Sequence, residues 1–131
     1  MLSKVTSVLI VDSDNITRVA LTRIFEKSNC NVVAEKSAEG AIDTLLNTHF
    51  DIVLSELTLG GSMDGNYLLT VIREKFPSTH VVLMSSEMDS DLKDSLIENG
   101  AADCLVRPFD KNACANLLAR LKAKSSKRKA A

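Results

Sequence analysis

Four polar side chains of complementary chemistry close short apolar runs in this chain of 131 residues. Asp12 follows Val8-Leu9-Ile10-Val11, and Glu56 lies just beyond Ile52-Val53-Leu54. Ser85 follows Val81-Val82-Leu83-Met84, and Arg107 follows Cys104-Leu105-Val106. Two carboxylates brought together can hold a divalent cation through oxygen ligands, while a hydroxyl beside a guanidinium can receive an anion. A single polar residue at such a place is ordinary, because chains turn there. Four of matched type at equivalent places indicate one shared site.

The elements that must position them can be read from periodicity. The apolar runs above, together with Asn31–Val33, are short and rich in Val, Ile and Leu, as buried strands are. Helical stripes lie between them: Ile16, Val19, Ala20, Ile24 and Phe25; then Ala38, Ile42, Leu45 and Leu46; then Leu68, Val71, Ile72 and Phe76. Ser37 and Asp89 are placed to cap helices, Pro77 to end the third and Gly100 to stop the fourth. A fifth helix, about Lys111 to Lys122, buries Leu117, Leu118 and Leu121. The pattern is an α/β chain, (βα)5, whose doubly wound five-stranded parallel sheet is covered on both faces. Such folds place their sites at the carboxyl ends of the strands, where Asp12, Glu56, Ser85 and Arg107 converge. His49 and His80 fall at the opposite edge and are expected to be plain loop residues.

Charge is unevenly distributed. Residues 1–119 carry ten basic against seventeen acidic residues, and residues 120–131 hold six basic residues and no acid. The expected organisation is one folded body, 1–122, and a basic C-terminal tail, 123–131, that frays. Without aromatic interleaving or a recognisable DNA-binding motif, the tail is expected to be a solvated end. A role at nucleic acid or an anionic surface is the third-ranked option. Cys30, Cys104 and Cys114 form no CxxC pair and no zinc-ligand spacing, which fits a reducing cytoplasm. No apolar run approaches the roughly 18 residues of a membrane span.

In order and spacing, the segments Val8–Asp14, Phe50–Glu56, Met63-Asp64-Gly65, Val81–Ser86 and Gly100–Phe109 resemble the receiver domain of bacterial two-component response regulators, across about residues 5–122. The resemblance implies a flavodoxin-like strand order, 2-1-3-4-5. It also implies an aspartyl phosphoacceptor after the third strand, with Mg²⁺ held by that residue and an acidic pair after the first. A lysine after the fifth strand and a hydroxyl after the fourth would contact the phosphoryl group, and an aromatic residue on the fifth would act as a switch. Carried over position by position, the phosphoacceptor place is Glu56, the acidic pocket is Asp12, Ser13 and Asp14, and the switch positions are Ser85, Cys104, Arg107 and Pro108. The family-implied metal ligands are Asp12, Glu56 and Thr58.

The departures from the family pattern are chemical. Glu56 carries its carboxylate roughly 1.3–1.5 Å further than an aspartate, and a displacement of about 1 Å can cost about 10²-fold in a positioned reaction. Ser13 removes one charge from the acidic pair, and Asp14 is expected to cap a helix in preference to ligating. No cofactor is therefore expected beyond weak Mg²⁺. Arg107 brings a planar fork suited to a carboxylate, so an Arg107–Glu56 ion pair stands against an arginine extended into water. Arg107-Pro108 is a candidate cis bond, matching the Lys-Pro of the family. Cys104 is expected to be an inert core thiol, and the loop Gly60–Gly65, one residue longer than the family norm, a looser lip. The expected function is that of a pseudo-receiver: a non-enzymatic signalling module working by protein–protein contact without aspartyl phosphorylation. Its partner would be a histidine kinase, an output protein or a second copy, met through the fourth helix, fifth strand and fifth helix. The alternative is a working phosphoacceptor in a phosphorelay.

Overall fold

The computed structural model describes residues 5–60 and 63–130, with side chains described through Lys124. Five strands alternate with five helices: β1 (Ser7–Val11), α1 (Asn15–Lys27), β2 (Asn31–Glu35), α2 (Ala38–Asn47), β3 (Ile52–Glu56), α3 (Gly65–Lys75), β4 (His80–Ser85), α4 (Ser90–Glu98), β5 (Asp103–Val106) and α5 (Lys111–Ala130). The strands form one parallel sheet in the order β2-β1-β3-β4-β5. This is the doubly wound arrangement expected from the alternation of runs and stripes.

Successive strand residues point to opposite faces, so each buried strand feeds two cores. Leu9, Val11, Val53, Val81 and Leu83 pack with Ala38, Ala41 and Leu45 of α2, Leu68, Leu69 and Ile72 of α3, and Leu96 of α4. Val8, Ile10, Ile52, Leu54, Val82 and Met84 pack with Leu21 and Phe25 of α1 and with Cys114, Leu117, Leu118 and Leu121 of α5. Because β1, β3 and β4 are buried on both faces, they read as unbroken apolar runs.

Helix starts follow the local chemistry. Asp14, Ser37, Asp64 and Asp89 accept hydrogen bonds from the backbone N–H three residues on, which caps α1 to α4. Gly100 ends α4 with φ +108°, a conformation open to glycine, and a Cβ there would collide with the Arg73 side chain.

Four expectations need correction. In α1 the expected stripe holds at Phe25, which is buried, and at Ile24, which packs half-buried beside it, but Leu21 is buried outside that stripe while Ile16 is 78% exposed and Val19 and Ala20 face outward. A helix entered from the carboxyl end of β1 begins above the sheet edge, so its first turn has no strand to cover. In α2, Ala41 is buried and Leu46 is 63% exposed. Helix α5 continues to Ala130 instead of stopping near Lys122, because Ala, Lys and Arg are good helix formers and no Gly or Pro intervenes. His80 is the buried first residue of β4 and not a loop residue, whereas His49 does lie outside the strands. Of the loop Gly60–Gly65, expected to be a looser lip, Gly61 and Ser62 lie outside the described residues, and Gly60 has φ +74°.

Candidate functional site

The carboxyl ends of β1, β3 and β5 bring Asp12, Glu56 and Arg107 together. Asp12 immediately follows β1 and is fully buried; Glu56 is the last residue of β3, its side chain 11% exposed. Arg107 follows β5, its side chain 26% exposed, and its backbone N–H donates to the Ser85 carbonyl at 2.8 Å. The Arg107-Pro108 bond is cis.

One guanidinium spans both carboxylates. Arg107 Nη1 donates to Asp12 Oδ2 at 3.1 Å, and Nη2 donates to Glu56 Oε2 at 3.0 Å. The second oxygen of each acid is also engaged: Asp12 Oδ1 accepts from the Asp14 backbone N–H at 2.8 Å, and Glu56 Oε1 accepts from the Ser13 hydroxyl at 2.9 Å. Charge-assisted bonds of this kind are about twice as strong as neutral ones, and the planar fork suits two acceptors held side by side. The sequence suggested the Glu56 pairing, which the geometry contains. It did not suggest Asp12 as the second acceptor or Ser13 as the donor to Glu56. The readable clue was the fork itself, which has more donors than one carboxylate uses.

Burial pushes the Asp12 carboxyl above its ordinary value of 3.8; the nearby Glu56 charge adds to this, while the Asp14 N–H and Arg107 oppose it. Asp14 behaves in the opposite way. Its carboxylate accepts from the Thr17 hydroxyl and backbone N–H at 2.7 and 2.9 Å, and these bonds hold its pKa below the ordinary value. Asp14 is thus a helix cap, turned toward Thr17.

The remaining expected positions lie around this centre. The Ser85 hydroxyl donates to the Glu87 carbonyl at 2.9 Å and accepts from its N–H at 3.3 Å, closing a local turn. Thr58 is an exposed loop residue beyond β3, and Pro108 lines an open pocket with Phe109, Asp110 and Ala113. Cys104 is buried in the α2–α3–α4 core and Cys30 and Cys114 in the α1–α5 core; burial pushes all three thiols up, that of Cys114 to about 11. All three are therefore poor nucleophiles at neutral pH.

A Mg²⁺ ion fits these residues poorly. Each carboxylate oxygen of Asp12 and Glu56 already accepts a hydrogen bond, two of them from a cation. Among the described residues, no group of three or more His, Cys, Asp or Glu side chains is disposed to hold a metal.

A doubly wound parallel sheet with acids at the ends of β1 and β3, and a cation at the end of β5, defines an α/β signalling module of the receiver class. The chain belongs to the response regulator receiver domain family, whose model matches residues 8–119. It is 37% identical over 113 residues to the response regulator protein FleR of Pseudomonas aeruginosa, a match covering 86% of this chain and 24% of that protein. With the DNA-binding transcriptional regulator NtrC of Klebsiella pneumoniae it shares 33% identity over 101 residues, 77% of this chain and 21% of the other. The chain therefore spans about a quarter or less of the length of these curated relatives.

Solved structures repeat the fold. The signal receiver domain of an HD domain-containing protein from Pseudomonas fluorescens superposes with a TM-score of 0.85 at 25% identity, covering 98% of this chain and 96% of that one. NtrX from Brucella abortus gives 0.89 at 23% identity, covering 97% of this chain and 29% of its own. Receiver domains are in general non-enzymatic signalling modules that work with histidine kinases and output domains. Among the described residues, no helix is long and apolar enough to cross a membrane.

Proposed function

We propose that this chain is an atypical receiver, a pseudo-receiver of the cytoplasm, that signals through protein–protein contact and without aspartyl phosphorylation. The observation that carries the reading is the engagement of both Glu56 oxygens, one by Ser13 and one by Arg107. Phosphoryl acceptance needs a carboxylate oxygen in line with the leaving group and cations free to take up the developing charge. Here the acceptor oxygens and the cation satisfy one another. The Ser85 hydroxyl, which would meet a phosphoryl oxygen in a working receiver, is held by the Glu87 backbone. In this reading Glu56 is a built-in carboxylate at the phosphoacceptor position, Arg107 pairs with it and with Asp12, and Cys104 fills space.

The contact surface in this reading is the face formed by α4, β5 and α5. Ile97 and Val106 are large apolar residues exposed there, with Asp91, Asp94 and Glu98 exposed on α4 and Arg120 on α5. Opposite charges on one face suit a second copy, a kinase or an output protein. Nucleic-acid binding by the basic segment 123–131 is not part of this reading.

Incubation with acetyl phosphate and Mg²⁺, followed by intact-mass spectrometry, tests the proposal. The expected spectrum is that of the unmodified chain. A stoichiometric, base-labile phosphoryl adduct mapped to Glu56 would instead make the chain a working phosphoacceptor.

A further inference from the structure

We propose that Arg107 is the resident cation of the crevice: its guanidinium takes the place between Asp12 and Glu56 that a divalent metal would need, and closes the pocket to Mg²⁺. The inference rests on the reading of Glu56 as locked and deepens it, because it assigns the closure to Arg107 instead of to the extra methylene of Glu56.

Four hydrogen bonds carry the argument. Mg²⁺ requires near-octahedral oxygen ligands at about 2.0–2.1 Å and gives up its waters reluctantly, so it relies on carboxylate oxygens that it can approach closely. Asp12 Oδ2 and Glu56 Oε2 are both bonded to Arg107, so an ion that bridges them must displace the guanidinium. Asp12 Oδ1 and Glu56 Oε1 each accept a further hydrogen bond, from the Asp14 N–H and the Ser13 hydroxyl, so every carboxylate oxygen keeps at most one lone pair for a metal. A dication entering the gap also meets the guanidinium, which lies 3.1 and 3.0 Å from an oxygen on each acid. No third acid compensates, since position 13 is a serine and Asp14 faces Thr17. The fork is therefore a better counter-ion for this pair than a hydrated metal, and it is covalently tethered. Shortening Glu56 to aspartate leaves the Asp12–Arg107 bond in place, so that change alone should not open the site.

Mn²⁺ is a suitable probe because it shares the preference of Mg²⁺ for octahedral oxygen sites and broadens nearby NMR signals. Titrated into the ¹⁵N-labelled full chain without phosphodonor, Mn²⁺ should leave the amide signals of Ser13, Asp14 and Leu57 no more broadened than those of Asp91 and Asp94, which report non-specific binding. Glu56→Asp should behave in the same way. Arg107→Ala should show selective loss of the Ser13, Asp14 and Leu57 signals. If that variant does not fold, Arg107→Lys takes its place: an ammonium reaches one carboxylate at a time, so selective loss is again expected. Selective broadening in the wild type or in Glu56→Asp would overturn the proposal, and so would its absence in the folded Arg107 variant. A Glu56 phosphoryl adduct formed without any divalent cation would overturn the functional reading and leave this one standing.

Discussion

At Arg107 one side chain holds two acids from different strands, and its removal should be felt more than that of an ordinary surface residue. Breaking a buried pair by deleting one partner leaves an uncompensated charge, which costs about 3–5 kcal/mol. Arg107→Ala, which strands Asp12 with no exposure to water, is expected to lose stability at the lower end of that range, given the partial exposure of the guanidinium; urea unfolding at neutral pH measures it. A loss below about 1 kcal/mol would mean that the pair is solvated like a surface bridge. The two neighbouring acids should also titrate with opposite effects. Asp12 is pushed above 3.8 chiefly by burial, so the folded state holds its proton more tightly than the unfolded one. Relative to Asp12→Asn, the wild type should therefore lose stability as pH rises from 3.8 through the folded value. Asp14 is lowered by its bonds to Thr17. Relative to Asp14→Ala, the wild type should lose stability as pH falls below 3.8 through the folded value. Equilibrium unfolding across pH 2–7 checks both slopes, and slopes of the same sign would contradict the assignment. Much of this site was legible in the sequence, because residue type fixes charge and reach. What was not legible was the part Ser13 and Asp12 play, since that depends on how the chain turns between β1 and α1.

At the scale of elements, the approach of α3 to the end of β3 depends on Gly65. A Cβ at that position would run into the Glu56 carbonyl oxygen and come within 2.9 Å of the Leu57 Cα, both backbone atoms that cannot swing aside. Gly65→Ala is therefore expected to cost about 1–3 kcal/mol, the usual range for overpacking. Thermal unfolding followed by circular dichroism reads the loss, and an unchanged midpoint would show that α3 can shift freely. The strands were the most legible elements, because burial on both faces leaves an unbroken apolar run. The helices were legible as elements but less so in orientation. Ile16 and Val19 fit a stripe with Ile24 and Phe25 by spacing alone, yet only the latter two, with Leu21 from outside the stripe, pack into the core against the sheet and α5. Spacing identifies a face; only the packing of the neighbours decides whether that face is covered. The end of α5 is poorly legible for a related reason, since a basic low-complexity segment reads as tail although its residues favour helix.

At the scale of the whole molecule, the Arg107 fork fastens the edge strand β5 to the two inner strands β1 and β3 at the functional end of the sheet. A receiver that switches must let this end rearrange when the phosphoryl group arrives. In this chain Arg107 supplies a counter-charge to the pocket from within the fold, and under the proposed function one arrangement is favoured without a modifying group. The excess of acids in residues 1–119 is thus partly internal, matched at the crevice by the partly exposed Arg107 and displayed openly on α4. The most direct test is a crystal structure grown with Mg²⁺ and beryllofluoride, which mimics a phosphorylated carboxylate. It is expected to show Glu56 still bonded to Arg107 and Ser13, with no fluoroberyllate on its carboxylate; fluoroberyllate attached to Glu56 beside a metal on Asp12 would contradict the account.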